Sequence, residues 1–340
     1  MVEVLILGEL LVDMIALEEG ELRDVETFGR FPGGAPANVA VGLARLGRRP
    51  YLISKVGDDP FGYFLIDKLR EEGVLTRYIY TDPYHHTGLV FVQLRGAKPE
   101  FFLYSHVAYN YLTEDEVHRA LSELGVPEVI HVGSVMLNME PSRGTQLTLM
   151  RSMKGKSLLS MDVNVRLDLW RGREDELWEV LHESLEYADV VKMGDGELRM
   201  AWESLMGGTS ADFEDMAMEL SERYGLLLLV VTLGERGSMA VHRGKAYTAR
   251  GFKVRDVVDT TGAGDAFTSA LLSSLLEVKV DNLSEEDIAY MLQWSNLIAS
   301  LSVTRRGAWS VPKIEEIRLE CEKHLEEDDL KIASDLLRRL

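Results

Sequence analysis

Cysteine is nearly absent from this chain of 340 residues, in which Cys321 stands alone. One thiol excludes an intramolecular disulfide framework and any cysteine-rich zinc or iron–sulfur centre, and it suits a reducing cytosol. Basic side chains are the minority, 37 Lys and Arg against 56 Asp and Glu, for a formal charge of −19. A nucleic-acid binder needs clustered Lys and Arg against phosphate, so that class is disfavoured. An anionic ligand would need strong local donors to overcome the same field. Long hydrophobic runs are missing too. The longest, Leu226–Leu233, is far below the ~18 residues that span a bilayer, and it suits a strand buried on both faces. The start, MVEVLILGELLVDMIALEE, has no basic segment and reads as neither signal peptide nor anchor, which predicts a soluble cytoplasmic protein.

Several reaction motifs are also missing. Without G-x-x-x-x-G-K-[ST] the chain has no phosphate loop of that type, and no G-x-G-x-x-G opens a dinucleotide fold after the first strand. Neither H-E-x-x-H nor G-x-S-x-G occurs, which removes two hydrolase classes. The pair His85–His86 has no ligands spaced around it and reads as part of a loop rather than a metal site. There is no internal repeat, low-complexity block or Pro/Ser-rich linker.

What is present is an alternation of short apolar runs with amphipathic stretches. Val4–Leu7, Tyr51–Val56, Val129–Val132, Leu158–Asp162, Val190–Met193, Leu226–Leu233 and Phe252–Val258 read as strands. That rhythm predicts an α/β fold, a doubly wound, mainly parallel sheet flanked by helices. Residues 12–31 and 87–104 break it and read as strand pairs with a turn, either a small β-strand lid over a site or an ordinary edge hairpin. Residues 313–340 form a charged helical extension whose stripe of Cys321, Leu325, Leu330, Ile332, Leu336 and Leu337 would pack on the outside or against a partner.

Three places carry candidate chemistry. In Asp259–Phe267, DTTGAGDAF, a strand runs into a glycine-rich turn that opens a helix. Gly262 and Gly264 free the backbone to point N–H groups at an anion, a donor set independent of surface charge. Asp265 at that helix start would either cap the helix or accept a proton from a hydroxyl beside a bound phosphate. In Gly33–Gly47, GGAPANVAVGLARLG, Gly33 and Gly34 allow close approach to a ligand, and Asn38 offers a donor and an acceptor to a polyol. A tight turn capping a core helix explains that segment equally well. Asp13 follows the first strand and would sit at the C-terminal edge of the sheet, facing paired hydroxyls or only solvent.

GGAPAN near the start and DTTGAGDAF near the end, in that order, resemble the two signatures of the ribokinase-like (PfkB) carbohydrate kinases. The resemblance covers residues 1–312. It implies a ribokinase-like doubly wound sheet with a small lid, and ATP-dependent phosphorylation of a sugar hydroxyl. Asp265 matches the catalytic base, and Gly262, Ala263 and Gly264 match the anion hole. Asp13, Gly33, Gly34 and Asn38 match positions that hold the sugar. Thr232–Gly237 (TLGERG), with Thr232, Gly234 and Gly237, matches the nucleotide loop, and Asn296 lies in the helix flanking the adenine. Glu197 matches the glutamate of the N-x-x-E element, linked to Mg2+ through water. Asp259, Thr261 and Gly307 resemble the monovalent-cation site that many members use, for K+. Lids of this kind can serve as homodimer surfaces.

Two positions depart from the family pattern. Gly194 replaces the asparagine of N-x-x-E, and Ser269 replaces the usual small residue two places after the phenylalanine. GELLVD, GGAPANVA, VGDDPFG and DVNVRLDLW are most similar to the bacterial fructokinase branch, where Arg166 would approach the substrate or the phosphate. Ketodeoxygluconate kinases carry Glu where this chain has Pro36, and an arginine after a lid tyrosine, whereas Ser105 and His106 follow Tyr104 here. The expected reaction is therefore D-fructose to fructose 6-phosphate, with ribose, 2-keto-3-deoxygluconate or a nucleoside as alternative acceptors. A non-catalytic sugar sensor on the same fold is the alternative from another class.

Overall fold

The computed structural model describes residues 2–95, 98–207 and 212–338. Its strands are β1 (Val4–Leu7), β2 (Leu11–Ala16), β3 (Phe28–Gly33), β4 (Pro50–Gly57), β5 (Ile79–Asp82), β6 (Gly88–Arg95), β7 (Lys98–Leu103), β8 (Val129–Val132), β9 (Leu158–Asp162), β10 (Val190–Gly194), β11 (Leu228–Thr232), β12 (Ser238–His242) and β13 (Lys245–Ala249). The helices are α1 (Ala35–Arg45), α2 (Pro60–Glu71), α3 (Glu114–Leu124), α4 (Ser142–Met153), α5 (Glu174–Tyr187), α6 (Asp195–Ala201), α7 (Phe213–Tyr224), α8 (Ala263–Leu275), α9 (Glu285–Ser302), α10 (Ile317–His324) and α11 (Glu327–Leu336).

Nine strands form one sheet in the order β13-β12-β11-β10-β9-β8-β1-β4-β5. It is parallel from β11 to β5, with β12 and β13 added antiparallel at one edge. In β1, Val4–Leu7 pairs with Pro50–Ile53 on one side and Val129–Val132 on the other. All four of its residues are buried. Alternation across the pleat explains the uninterrupted apolar run. Leu5 and Leu7 join the core beneath α3, α4, α5 and α7, while Val4 and Ile6 join the core beneath α1, α2, α8 and α9.

The strand pairs expected in 12–31 and 87–104 form a second sheet, β3-β2-β6-β7. Its centre is the parallel pair β2–β6, flanked by antiparallel β3 and β7. The turn joining β6 to β7, at 96–97, lies outside the described residues. Asp13 is placed differently from the sequence reading: it belongs to β2, opposite Phe31 and Val90, so the small sheet carries it rather than a loop at the edge of the large one.

Phe252–Val258 is not a strand. Its only ladder contact among the described residues is a bridge between Val254 and Leu325, and Val257 and Val258 are exposed. The C-terminal segment takes up its backbone in place of a sheet edge: Arg255 N donates to His324 O at 2.9 Å. The apolar stripe of residues 313–340 packs on its own chain. Cys321, Leu325 and Leu336 join Ala266 and Ala270 of α8 and Trp294, Leu297 and Leu301 of α9 in a third core.

Candidate active site

The glycine-rich turn opens α8 as its sequence requires. Gly262 is the helix N-cap at φ 78°, a left-handed conformation that side chains disfavour, and a Cβ there would lie 2.8 Å from the Ala308 Cα. Asp265 falls in the first turn of α8 and is buried. It does not cap its own helix. Its Oδ2 accepts a hydrogen bond from Asn38 Nδ2 at 2.7 Å. Asn38 thus holds the other carrier of chemistry, where the sequence offered it to a polyol.

Helices α1 and α8 come together because of one small residue. A Cβ at Gly42 would stand 2.1 Å from Ser269 Oγ. The Ser269 hydroxyl sits between the helices, on the Val39 carbonyl at 3.2 Å and the Asp265 carbonyl at 2.7 Å. The departure at Ser269 is therefore a piece of helix–helix packing.

Two charged side chains that the sequence reading passed over complete the neighbourhood. Lys192 of β10 donates to Asp162, the last residue of β9, at 3.0 Å from Nζ to Oδ2. A Cβ on Gly264 would lie 3.1 Å from the same Nζ, so the ammonium stands beside the glycine turn. Thr268 Oγ1 donates to the Gly264 carbonyl at 3.0 Å and to Asp162 Oδ2 at 3.3 Å. Burial would lower the Lys192 pKa, but Asp162, Glu197 and Asp265 outweigh it and hold the pKa above its ordinary value. The signal was a lysine inside Val190–Met193, a strand otherwise apolar on both faces, where a charge needs a partner.

Carboxyl groups crowd the end of the site facing the small sheet. Burial pushes Asp265 up to about 6; Asn38 opposes the rise, Asp162 adds to it, and Lys192 and Arg166 oppose it. Asp13 is pushed up to about 7 by burial and by Asp265, against Arg166. Its carboxylate lies over Gly33, where a Cβ would be 2.2 Å from Oδ2. Glu9 rises to about 8 through burial, although Ala35 N donates to its Oε1 at 3.1 Å. Gly34, the N-cap of α1, sits against the Glu9 carbonyl. Arg166, exposed in the loop after β9, is the cation acting on all three acids.

On the other side of the turn opens a cavity of about 850 Å³. Thr232, Gly234, Gly237 and Asn296 all line it, together with Ala263 and Gly264. Asn296 also donates to the carbonyls of Ala249 and Arg250, both at 3.2 Å. Glu326, from the C-terminal extension, forms part of the wall.

The remaining candidates fall in two loops. Asp259 accepts from Thr261 N through Oδ1 and from Gly307 N through Oδ2, both at 2.9 Å, so the three residues meet. Glu197 accepts from Gly194 N and Val165 N, each at 2.6 Å, and Gly194 thus serves that carboxylate through its backbone. His85 lies apart, 2.9 Å from Asp82 and stacked on Tyr111. Among the described residues no helix is long and apolar enough to cross a membrane.

Residues 1–314 match the pfkB family of carbohydrate kinases. The Escherichia coli protein named fructokinase is 33% identical over 332 residues, 96% of this chain and 99% of that one. A solved structure of an uncharacterized sugar kinase from Pyrococcus horikoshii in complex with ATP superposes with a TM-score of 0.80 at 42% identity, over 92% of this chain and 96% of that one. A fructokinase double mutant from Vibrio cholerae, bound to fructose, ADP and potassium, superposes with a TM-score of 0.78 at 29% identity, over 94% and 98% of the two chains. The chain belongs to the pfkB family of carbohydrate kinases and has the ribokinase-like fold, which makes it a sugar kinase.

Proposed function

We propose that this protein transfers the γ-phosphoryl group of ATP to the terminal hydroxyl of D-fructose, giving fructose 6-phosphate, in the cytoplasm. The observation that carries the reading is the position of Asp265. It is a buried carboxylate held by Asn38, one residue beyond the glycine turn that lines the nucleotide cavity. A base there meets both substrates. It takes the proton of the acceptor hydroxyl as the oxygen attacks phosphorus. The N–H groups from Gly262 to Gly264, at a helix N-terminus, receive the charge that develops on the phosphoryl oxygens. Lys192 adds a positive charge beside them. Thr232, Gly234, Gly237 and Asn296 enclose the nucleotide.

Magnesium fits this site as an ion carried mainly by the triphosphate and water. Among the described residues no three His, Cys, Asp or Glu side chains could cage a metal, and Glu197 already accepts two backbone N–H groups. A Glu197 carboxylate so fixed would orient a coordinated water. When bound, the ion neutralises phosphate charge. Asp259, Thr261 and Gly307, already joined, are the candidate seat for potassium.

Two facts support fructose as the acceptor. The E. coli fructokinase matches along nearly its whole length. The acceptor end also gathers three buried carboxyl groups, Glu9, Asp13 and Asp265, all held above their ordinary pKa values, so an anionic acid sugar would add like charge and raise them further, whereas a neutral polyol would not.

The test is ADP release from Mg-ATP with fructose, glucose, ribose, 2-keto-3-deoxygluconate, fructose 1-phosphate and adenosine, ranked by kcat/KM. Fructose is expected to lead. Another leading acceptor would overturn the assignment of fructose alone. Sugar binding without turnover on any acceptor, with or without potassium, would make the protein a sensor.

A further inference from the structure

Trp309 lies outside both signature motifs, yet it reaches the centre of the site. Its indole Nε1–H donates to Asn38 Oδ1 at 2.9 Å, while Asn38 Nδ2 donates to Asp265 Oδ2 at 2.7 Å. An indole N–H can only donate, and an asparagine amide has one accepting and one donating end. Whatever holds the oxygen of Asn38 therefore decides what its nitrogen faces. With the amide reversed, its oxygen would oppose the Asp265 carboxylate and its NH2 would oppose the indole N–H.

The main chain that carries the indole is itself anchored by side chains of the protein. Arg45 Nη1 donates to the carbonyls of Trp309 and Val311, at 2.7 and 3.0 Å, and the Arg45 guanidinium is held by both oxygens of Glu72. Asn38 and Arg45 are seven residues apart on α1, about two turns, and so share a face. The Trp309–Val311 segment runs along that face. At its other end, Gly307 N is tied to Asp259, and Ala308 packs on Gly262. One short segment thus touches the anion turn and sets the amide that faces the base.

We propose that Trp309 is a positioning residue for phosphoryl transfer: its indole N–H keeps the Asn38 amide turned so that the amide nitrogen holds the Asp265 carboxylate in place to receive the acceptor's proton. This rests on the reading of Asp265 as the base. With Oδ2 occupied by Asn38, Oδ1 is left for the acceptor hydroxyl. The Asn38 donation also favours the ionised carboxylate against its burial. The charged groups facing Asp265 come from other elements: Asp162 and Lys192 from the large sheet, Arg166 after β9, Asp13 from the small sheet, and Glu9 between β1 and β2. All of them remain when the indole N–H is removed.

Trp309→Phe keeps an aromatic ring and loses the donor. Its kcat is expected to fall about tenfold, a part of the ~10²–10⁴ that a general base supplies, with both KM values within about twofold of wild type. The acid limb of the kcat–pH profile is expected to move to higher pH. On an Asn38→Ala background the same substitution is expected to add no further loss, because the link is already cut. An unchanged kcat and pH profile in Trp309→Phe, or losses that simply add in the double variant, would overturn the proposal. A wild type that turns over no acceptor would overturn the kinase reading instead.

The contact is also read without turnover, and without a folded Trp309→Phe. The chain has 5 tryptophans, and Asn38→Ala is expected to shift one of their indole 15N–1H resonances strongly. Five unmoved resonances would overturn the contact.

Discussion

Asn38 and Asp265 stand 227 residues apart in the chain, and the amide nitrogen of one lies 2.7 Å from a carboxylate oxygen of the other. The bond joins the first turns of α1 and α8, the two helices on which the motifs lie. It ties the glycine-rich segment near the start to the glycine-rich turn near the end.

Replacing Asp265 by Asn keeps the shape and removes the carboxylate proposed as the base. Steady-state ADP release is expected to show kcat lowered by roughly 10²–10⁴, with sugar and ATP KM nearly unchanged. In the wild type, protonation of this carboxyl disables it, so activity is expected to fall as pH drops through about 6. Near-wild-type turnover in Asp265→Asn would remove Asp265 from the chemistry.

Gly42→Ala is expected to push α1 away from α8, because the new methyl would meet Ser269 Oγ and Cβ at 2.1 and 2.7 Å. Overpacking of this kind costs about 1–3 kcal/mol, read as a lower Tm. Activity is expected to fall with it, and Ser269→Ala to relieve only part of the strain. A fully stable and active Gly42→Ala would show that the helices have room to spare.

Glu9 and Asp13 make stability depend on pH in an uncommon direction. Their pKa values rise from 4.5 to about 8 and from 3.8 to about 7, so between those limits the folded chain binds more protons than the unfolded one. Their contribution is fully present below about pH 4 and is lost as pH rises through 7 and 8. Each tenfold difference in proton affinity between the folded and unfolded chain is worth about 1.4 kcal/mol. Tm measured from about pH 5 to 8.5 is therefore expected to decline, and Glu9→Gln to flatten the decline. An equal slope in wild type and Glu9→Gln would count against a buried neutral carboxyl.

Asp329 in the C-terminal extension is expected to act mainly on the cavity proposed for the nucleotide. Asp329 of α11 is buried, accepts from Lys253 N at 2.7 Å and pairs with Arg250 at 2.5 Å, holding the wall of the cavity. Asp329→Ala is expected to raise the KM for ATP about three- to tenfold, up to about 1.4 kcal/mol, with the sugar KM unchanged. Equal effects on both substrates would point to general unfolding.

The sequence by itself determined what depends on neighbours along the chain. Val4–Leu7, Val129–Val132 and Leu158–Asp162 read as strands over their full observed length, because a strand covered on both faces is mainly apolar, and the polar residues inside these, His131, Ser160 and Asp162, are each paired. DTTGAGDAF announces a glycine turn opening a helix, and that chemistry is complete within nine residues. Tertiary structure alone decided the partners. That Lys192 answers Asp162 depends on β9 and β10 lying side by side. That Trp309 reaches Asn38 depends on a loop 271 residues away being clamped along α1. Phe252–Val258 had a strand's pattern, yet among the described residues it pairs with no strand of either sheet; it lines the cavity and is bound to the C-terminal segment. Local patterning sets what a segment can become; the order of strands and helices in space sets which polar groups meet, and a buried polar group is stable only beside the partner it meets.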